Sequence, residues 1–357
     1  MNDISGKQLC IMIFFIPLVF KMSSLPALLY GEAGATAYIL IAIVTTVEFL
    51  QLGLVLFVTK RGGMEGIKRL YGKKTYVLVA LPMLFIVFCK MIALTQEIVS
   101  YVSGFLFYNI PDNCVLPIVL LAVFYLGTRG ARAIGRLYEL SVWFIPIIIV
   151  LGVFFGKADV EFFYLTPVFD RGASEYFGAI RKFLIYTFDF SPLLFMNVKI
   201  KRAAPVAVCS VLSVGAVTAA FALLYAAYGN ASFLANAGFA RLASFNTVIS
   251  EIGSLDWPSV LLWLTTGTLS LSLKIAAIDR ISDGIGMKKV GTAVFCLGVW
   301  LVLSFSVNTL SQAVEFVTNG VQYGVFFAEI LLPIVILFLL ALKNRSENRS
   351  KIELNAQ

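Results

Sequence analysis

Ten apolar runs divide this chain, at residues 9–30, 33–58, 76–103, 115–127, 137–155, 183–198, 204–228, 258–278, 290–307 and 321–342. Most approach the roughly 20 residues that an α-helix needs to cross the hydrocarbon core of a bilayer. Lipid offers no partner to backbone N–H and C=O groups, so a chain built of such runs folds as spanning helices. The composition agrees, with 60% hydrophobic residues, a mean hydropathy of +0.91 and only 13% charged residues. The sequence therefore predicts an all-α polytopic membrane protein of ten transmembrane helices.

Basic residues between the runs predict the orientation. With the N-terminus inside, the inner segments carry Lys7; Lys60, Arg61, Lys68, Arg69, Lys73 and Lys74; Arg129, Arg132 and Arg136; Lys199, Lys201 and Arg202; Arg280, Lys288 and Lys289; and Lys343, Arg345, Arg349 and Lys351. The outer segments hold only Lys157, Arg171, Arg181, Lys182 and Arg241. Cytoplasmic loops concentrate Lys and Arg, so a split of 20 to 5 predicts an even number of spans with both termini cytoplasmic. This arrangement also accounts for the net charge of +8 without any nucleic-acid partner. The first run has no small-residue cleavage site, which predicts that no signal peptide is removed.

Several chemistries are excluded or disfavoured. There is no histidine, which removes the commonest general base, the Ser-His-Asp arrangement and imidazole metal ligands. The five cysteines, Cys10, Cys89, Cys114, Cys209 and Cys296, form neither a disulfide framework nor a CxxC metal site. No enzyme, no metal and no cofactor is expected.

Two runs are interrupted. The sixth contains TFDFSP at 187–192, where Asp189 sits at membrane depth and Pro192 lacks the N–H that a continuous helix requires. The first contains FKMSSLP at 20–26. Interrupted spans at matching places in two halves are the sequence signature of a transporter-type binding site. Five spans per half place the halves in opposite orientation. This predicts one permease-like domain over 1–342, with inverted repeats at about 8–155 and 183–342 and a frayed polar tail at 343–357. A short outer helix is expected at 245–257, where Phe245, Val248, Ile249 and Ile252 recur at helical spacing.

Ionisable residues at depth mark function by default. They are Lys21, Lys90 and Lys274 against Glu48, Glu97, Asp189 and Glu329, numbers that suggest mutual compensation. The candidate ligand-binding residues are Lys21, Ser23 and Ser24 at the first break, Lys90 and Glu97 on the third span, Thr187, Asp189 and Ser191 at the second break, and Thr266 and Ser270 on the eighth span. Asp189 could bind a substrate ammonium, carry a proton or pair with a lysine, with Lys90 the candidate partner. Lys274 lies near the expected inner end of its span, where a lysine snorkels to the interface. Glu329 reads as structural, and Glu48 as structural or functional alike.

The opening ISGKQLCIMIFFIPLVFKMSSLPALLYGEAGATAYIL at 4–40, GTRGARAIGRLYEL at 127–140 and FNTVISEIGSLDW at 245–257, followed by a span containing Trp263, carry a family likeness. With these the chain resembles the endospore germination permeases, the membrane-embedded B subunits of nutrient germinant receptors in the amino acid/polyamine/organocation superfamily. The resemblance implies a LeuT-like 5+5 fold with broken first and sixth helices and a small nutrient ligand, most simply an amino acid. It also implies assembly with an A-type membrane subunit and a C-type lipoprotein in the spore inner membrane. The family tends to place a Gly beside the acid of the sixth-span break, whereas here Phe188 and Phe190 flank Asp189. The other function class that the residues admit is an ion- or proton-coupled secondary transporter of amino acids or related cations.

Overall fold

The structure is a computed structural model that describes residues 3–21, 25–105, 110–143, 161–169, 171–182, 184–200, 202–229, 232, 257–305 and 316–355. Helix α1 (Gly6–Lys21) leads to α2 (Leu25–Ala33), a 3-10 turn at Gly34–Thr36 and α3 (Ala37–Lys60). There follow α4 (Gly63–Phe105), interrupted at Gly72, then α5 (Asp112–Thr128) and α6 (Ala131–Ser141). Helix α7 (Ala173–Lys182) precedes an irregular stretch, after which come α8 (Ala204–Tyr228), α9 (Trp257–Ile285), α10 (Lys288–Phe305) and α11 (Gln322–Asn355).

Among the described residues, five stretches are long and apolar enough to cross a membrane: Leu25–Lys60, Gly63–Ser103, Ala204–Tyr228, Lys288–Phe305 and Gln322–Leu342. The α5–α6 pair adds a sixth if its two arms form one span. Their outward faces keep Leu50, Leu78, Ile118, Leu121 and Val211 exposed. So much uncovered apolar surface marks a contact with lipid rather than water. The architecture is all-α and multi-pass. At its centre α9 packs on α1, α4, α5, α6 and α10, while α8 packs on α1 and α3 and α11 on α4.

The helices bend at sites written into the chain. Between α5 and α6 the path turns by 113°, at Gly130, whose φ of 87° lies in the left-handed region that glycine occupies without steric cost. After this bend α6 buries Ile134, Gly135 and Tyr138 and turns Arg132 and Arg136 outward.

The sixth apolar run departs from the expected helix. Residues 184–200 form 3-10 turns at Leu184–Tyr186 and Ser191–Phe195, then strand β2 (Asn197–Lys199). Strand β2 pairs in parallel with β1 (Asp3–Ser5), in the register Asp3↔Asn197, Ile4↔Val198, Ser5↔Lys199. Local backbone explains the departure: Phe188 has φ of 61°, which breaks any helix before Pro192 adds its missing N–H. The tail also differs, because α11 continues as helix to Asn355 instead of fraying at 343. Part of the fifth run and most of the expected outer helix at 245–257 lie outside the described residues.

The contacts between connecting segments fall into two groups. At one end β1 pairs with β2, Thr59 Oγ1 donates to Leu193 O at 3.4 Å, Tyr71 Oη donates to Leu339 O at 2.8 Å, and Tyr76 Oη donates to Arg280 O at 3.3 Å. Every one of these contacts joins segments assigned to the inner side or the adjoining ends of spans. At the other end Arg171 donates to Gly31 O at 3.1 Å, Thr36 Oγ1 bonds Tyr176 Oη at 3.3 Å, and Glu161 N donates to Ala226 O at 2.9 Å. Those contacts join segments assigned to the outer side.

Candidate functional site: a buried constellation of six charges

The two interrupted segments meet at one side chain. Glu48, on α3, accepts the Lys21 ammonium at the end of α1 through Oε2. Through Oε1 it accepts the backbone N–H of Asp189 at 3.2 Å. Both sequence-predicted breaks are therefore held by the same carboxylate. Ser23 and Ser24, expected to line the first break, lie outside the described residues.

Around Asp189 the charges interlock. Its Oδ1 lies 2.9 Å from Lys274 Nζ and 3.3 Å from Lys90 Nζ. Lys90 Nζ also donates to the Thr187 carbonyl and sits 3.0 Å from Glu329 Oε1. Ser191 Oγ donates to Glu329 Oε1 at 3.2 Å and accepts from Gln51 Nε2 at 3.2 Å, while Thr187 Oγ1 donates to Leu184 O at 2.7 Å. The irregular backbone over 187–191 is thus stitched to α3, α4, α9 and α11 by polar groups.

Lys21, Lys90 and Lys274 face Glu48, Asp189 and Glu329, so the formal charges cancel. None of the six is more than 2% exposed. Taking an isolated charge out of water costs several kcal/mol, which only close pairing offsets. The set is closed to solvent and neutral as a whole.

The pairing is incomplete in hydrogen-bond terms. Lys274 Nζ is within ion-pair distance of Asp189 yet has no well-angled acceptor among the described residues, and Glu329 Oε2 has no donor. Among the described residues, one cation with a single partner and one acceptor without a donor thus stand at the two ends of the chain Lys274–Asp189–Lys90–Glu329. Gln51 Oε1 and Thr95 Oγ1 are in the same condition. Buried polar groups in native proteins are almost always paired, and an orphan costs about 1–3 kcal/mol.

The structure changes two readings of single residues. Lys274 does not snorkel: its side chain is 1% exposed and its ammonium turns inward, 2.9 Å from Asp189 Oδ1. Glu329 joins the constellation beside Lys90 instead of standing apart. Thr266 and Ser270 lie two turns and one turn before Lys274 on the same face of α9, where Tyr138 Oη lies 2.7 Å from Ser270 Oγ and donates to Thr266 O at 3.3 Å. These two serve the seam between α6 and α9. Glu97 is buried two turns beyond Lys90 on α4, about 10 Å along the axis and outside the six.

Gln51 is the one member that the sequence marks only through its polar neighbours on the second run. Phe188 is the other surprise. Its backbone is left-handed, with φ of 61°, and its buried ring packs edge-on to Phe326 with centroids 5.1 Å apart. The backbone shape that a glycine permits is present without the glycine. Comparison with protein-family models and with curated proteins finds no significant match to this chain.

Proposed function

We propose that the constellation is a binding site for a small zwitterionic nutrient, an amino acid in the simplest case, and that the chain is a permease-like receptor subunit of the germinant-receptor kind. The observation that carries this reading is a buried network of zero net charge in which Lys274 has a single carboxylate beside it and Glu329 Oε2 lacks a donor among the described residues. An amino acid brings one carboxylate and one ammonium. The carboxylate answers Lys274 and the ammonium answers Glu329, so ligand entry adds no net charge at membrane depth. A simple cation or anion would leave one unpaired charge in a dry interior, at several kcal/mol.

In this reading the ten-span, 5+5 inverted arrangement holds, both termini are cytoplasmic, and the interrupted first and sixth segments clasp the ligand. Opening of the closed site exchanges ligand and moves the 184–200 segment. The movement signals to an A-type membrane subunit and a C-type lipoprotein in the spore inner membrane. The supports are the family likeness, the segregation of inner and outer loops, and the junction of both breaks at Glu48.

Binding to the purified protein in detergent tests the ligand class. An amino acid is compared with the matching amine, which lacks the carboxylate, and the matching acid, which lacks the ammonium. Losing either charged hydrogen bond should weaken binding roughly 10- to 100-fold. Equal binding of the amine would refute the zwitterion reading. Concentrative uptake by proteoliposomes under a proton or sodium gradient would make the chain a transporter instead of a sensor.

A further inference from the structure

A second site lies away from the constellation, at the end of the fold where the inner segments gather. A cavity of about 1050 Å³ opens between the start of α1, helix α6, strand β2 and the start of α8. Five cations border it: Lys7, Arg132, Arg136, Lys199 and Arg202. All five are solvent-exposed, and no carboxylate is among the described residues that line the cavity. Three separate basic segments of the sequence thus converge on one hollow. Its floor is apolar, formed by Ile4, Pro205 and Val206.

The flanks of the hollow show what fits it. One turn along α8 the exposed residues are Val208 and Leu212, and one turn along α6 they are Leu140 and Trp143. Both walls therefore continue into surface that faces lipid chains. A ligand matching this geometry has an anionic head at the cations and an apolar body that leaves along the walls. Basic pockets between spanning helices recognise phospholipid headgroups by this combination. A free inorganic anion would use the cations but not the floor or the flanks.

We propose that this cavity is a specific binding site for the headgroup of an anionic phospholipid. The site is independent of whatever occupies the six-charge constellation. Lipid in the hollow would touch β2 directly, so its occupancy bears on the stability of the ribbon that follows the second break.

The test uses the full chain, titrated in neutral micelles with phosphatidylglycerol, phosphatidylcholine or inorganic phosphate while the thermal midpoint is followed. Phosphatidylglycerol should stabilise the protein, and the other two should not. The double variant Arg132→Gln, Arg136→Gln should bind phosphatidylglycerol about 25-fold more weakly, a factor of about 5 for each charge. The control Lys73→Gln, Lys74→Gln removes the same charge from exposed positions at the same end and should stay close to the unaltered protein. Equal weakening in the control, an equal response to inorganic phosphate, or no preference over phosphatidylcholine would each overturn the proposal. A readout without any substitution guards against misfolding of the variant. Cys10 and Cys209 line the cavity, whereas Cys114 is exposed elsewhere. Maleimide modification of Cys10 and Cys209, read by peptide mass spectrometry, should slow several-fold in phosphatidylglycerol with Cys114 unchanged; equal rates in both lipids would likewise overturn it.

Discussion

Replacing Asp189 with asparagine tests how the constellation is wired. The two lysines at Asp189 Oδ1 are not equivalent. Lys90 retains Glu329 Oε1 at 3.0 Å and the Thr187 carbonyl, whereas Asp189 is the one carboxylate within ion-pair distance of Lys274 among the described residues. Asp189→Asn therefore strands Lys274. A buried charge deprived of its partner costs about 3–5 kcal/mol, a factor of roughly 10² to 10³ or more in the folded population. The expected outcome is a sharp loss of folded protein in the membrane, measured by fluorescence-detected size-exclusion chromatography after heating. Adding Lys274→Met should restore most of it, because the stranded charge and the broken pair disappear together. Adding Lys90→Met should not, since Lys274 stays stranded and Glu329 then loses its cation as well. A double-mutant cycle gives the coupling directly. Better rescue by Lys90→Met than by Lys274→Met, or full stability of Asp189→Asn alone, would refute this wiring.

Four further outcomes rest on the same contacts and packing. Glu48→Gln keeps an acceptor for the Asp189 N–H but removes the charge that pairs Lys21, and should destabilise by about 3–5 kcal/mol, with partial recovery on adding Lys21→Met, read by the same heating assay. Ser270→Ala should cost only about 0.5–1.5 kcal/mol, the worth of one hydrogen bond to Tyr138, and leave amino acid affinity unchanged in a binding titration. Gly127→Ala would set a methyl 2.5 Å from Ile275 Cγ2 and 2.7 Å from its Cβ, so overpacking should cost about 1–3 kcal/mol in thermal stability, and Ile275→Ala, which keeps the Cβ, should not relieve it. Cysteines introduced at 64–70 and at 172–178, in a Cys114→Ser background, should react with an impermeant maleimide from opposite sides of the membrane.

Much of the architecture was legible because it depends on local quantities. Run length and loop charge depend on residues close in sequence, and run 204–228 coincides with α8. The break at 187–192 was visible because Pro, Ser and a charge disrupt an apolar helix wherever its neighbours lie, whereas the core of the first expected break, at 22–24, lies outside the described residues. Pairing was not legible, because it is decided by which helices face each other. Lys274 illustrates this: it stands near the end of its apolar run, and only the facing Asp189 shows that it turns inward instead of reaching water. For Thr266 and Ser270 the sequence shows the hydroxyls but not Tyr138 on α6, which meets both of them. The irregular shape of 184–200 was half visible. Pro192 announced it, but the left-handed turn at Phe188 carries no glycine to give it away.

The constellation also imposes an order on biogenesis. The chain enters the membrane from its N-terminus, and the six charges do not arrive in matched pairs. Lys21 and Glu48 arrive close together and neutralise one another within the first two runs. Lys90 arrives next, and both of its carboxylates, Asp189 and Glu329, belong to the second half of the chain. For the time it takes to synthesise about a hundred residues, at roughly 5–20 residues per second, the third span holds a lysine with neither of these partners. Asp189 then arrives and serves Lys90 alone until α9 delivers Lys274. The first half is therefore an unfinished object that only the second half completes, and an early stop in translation leaves Lys90 without either carboxylate.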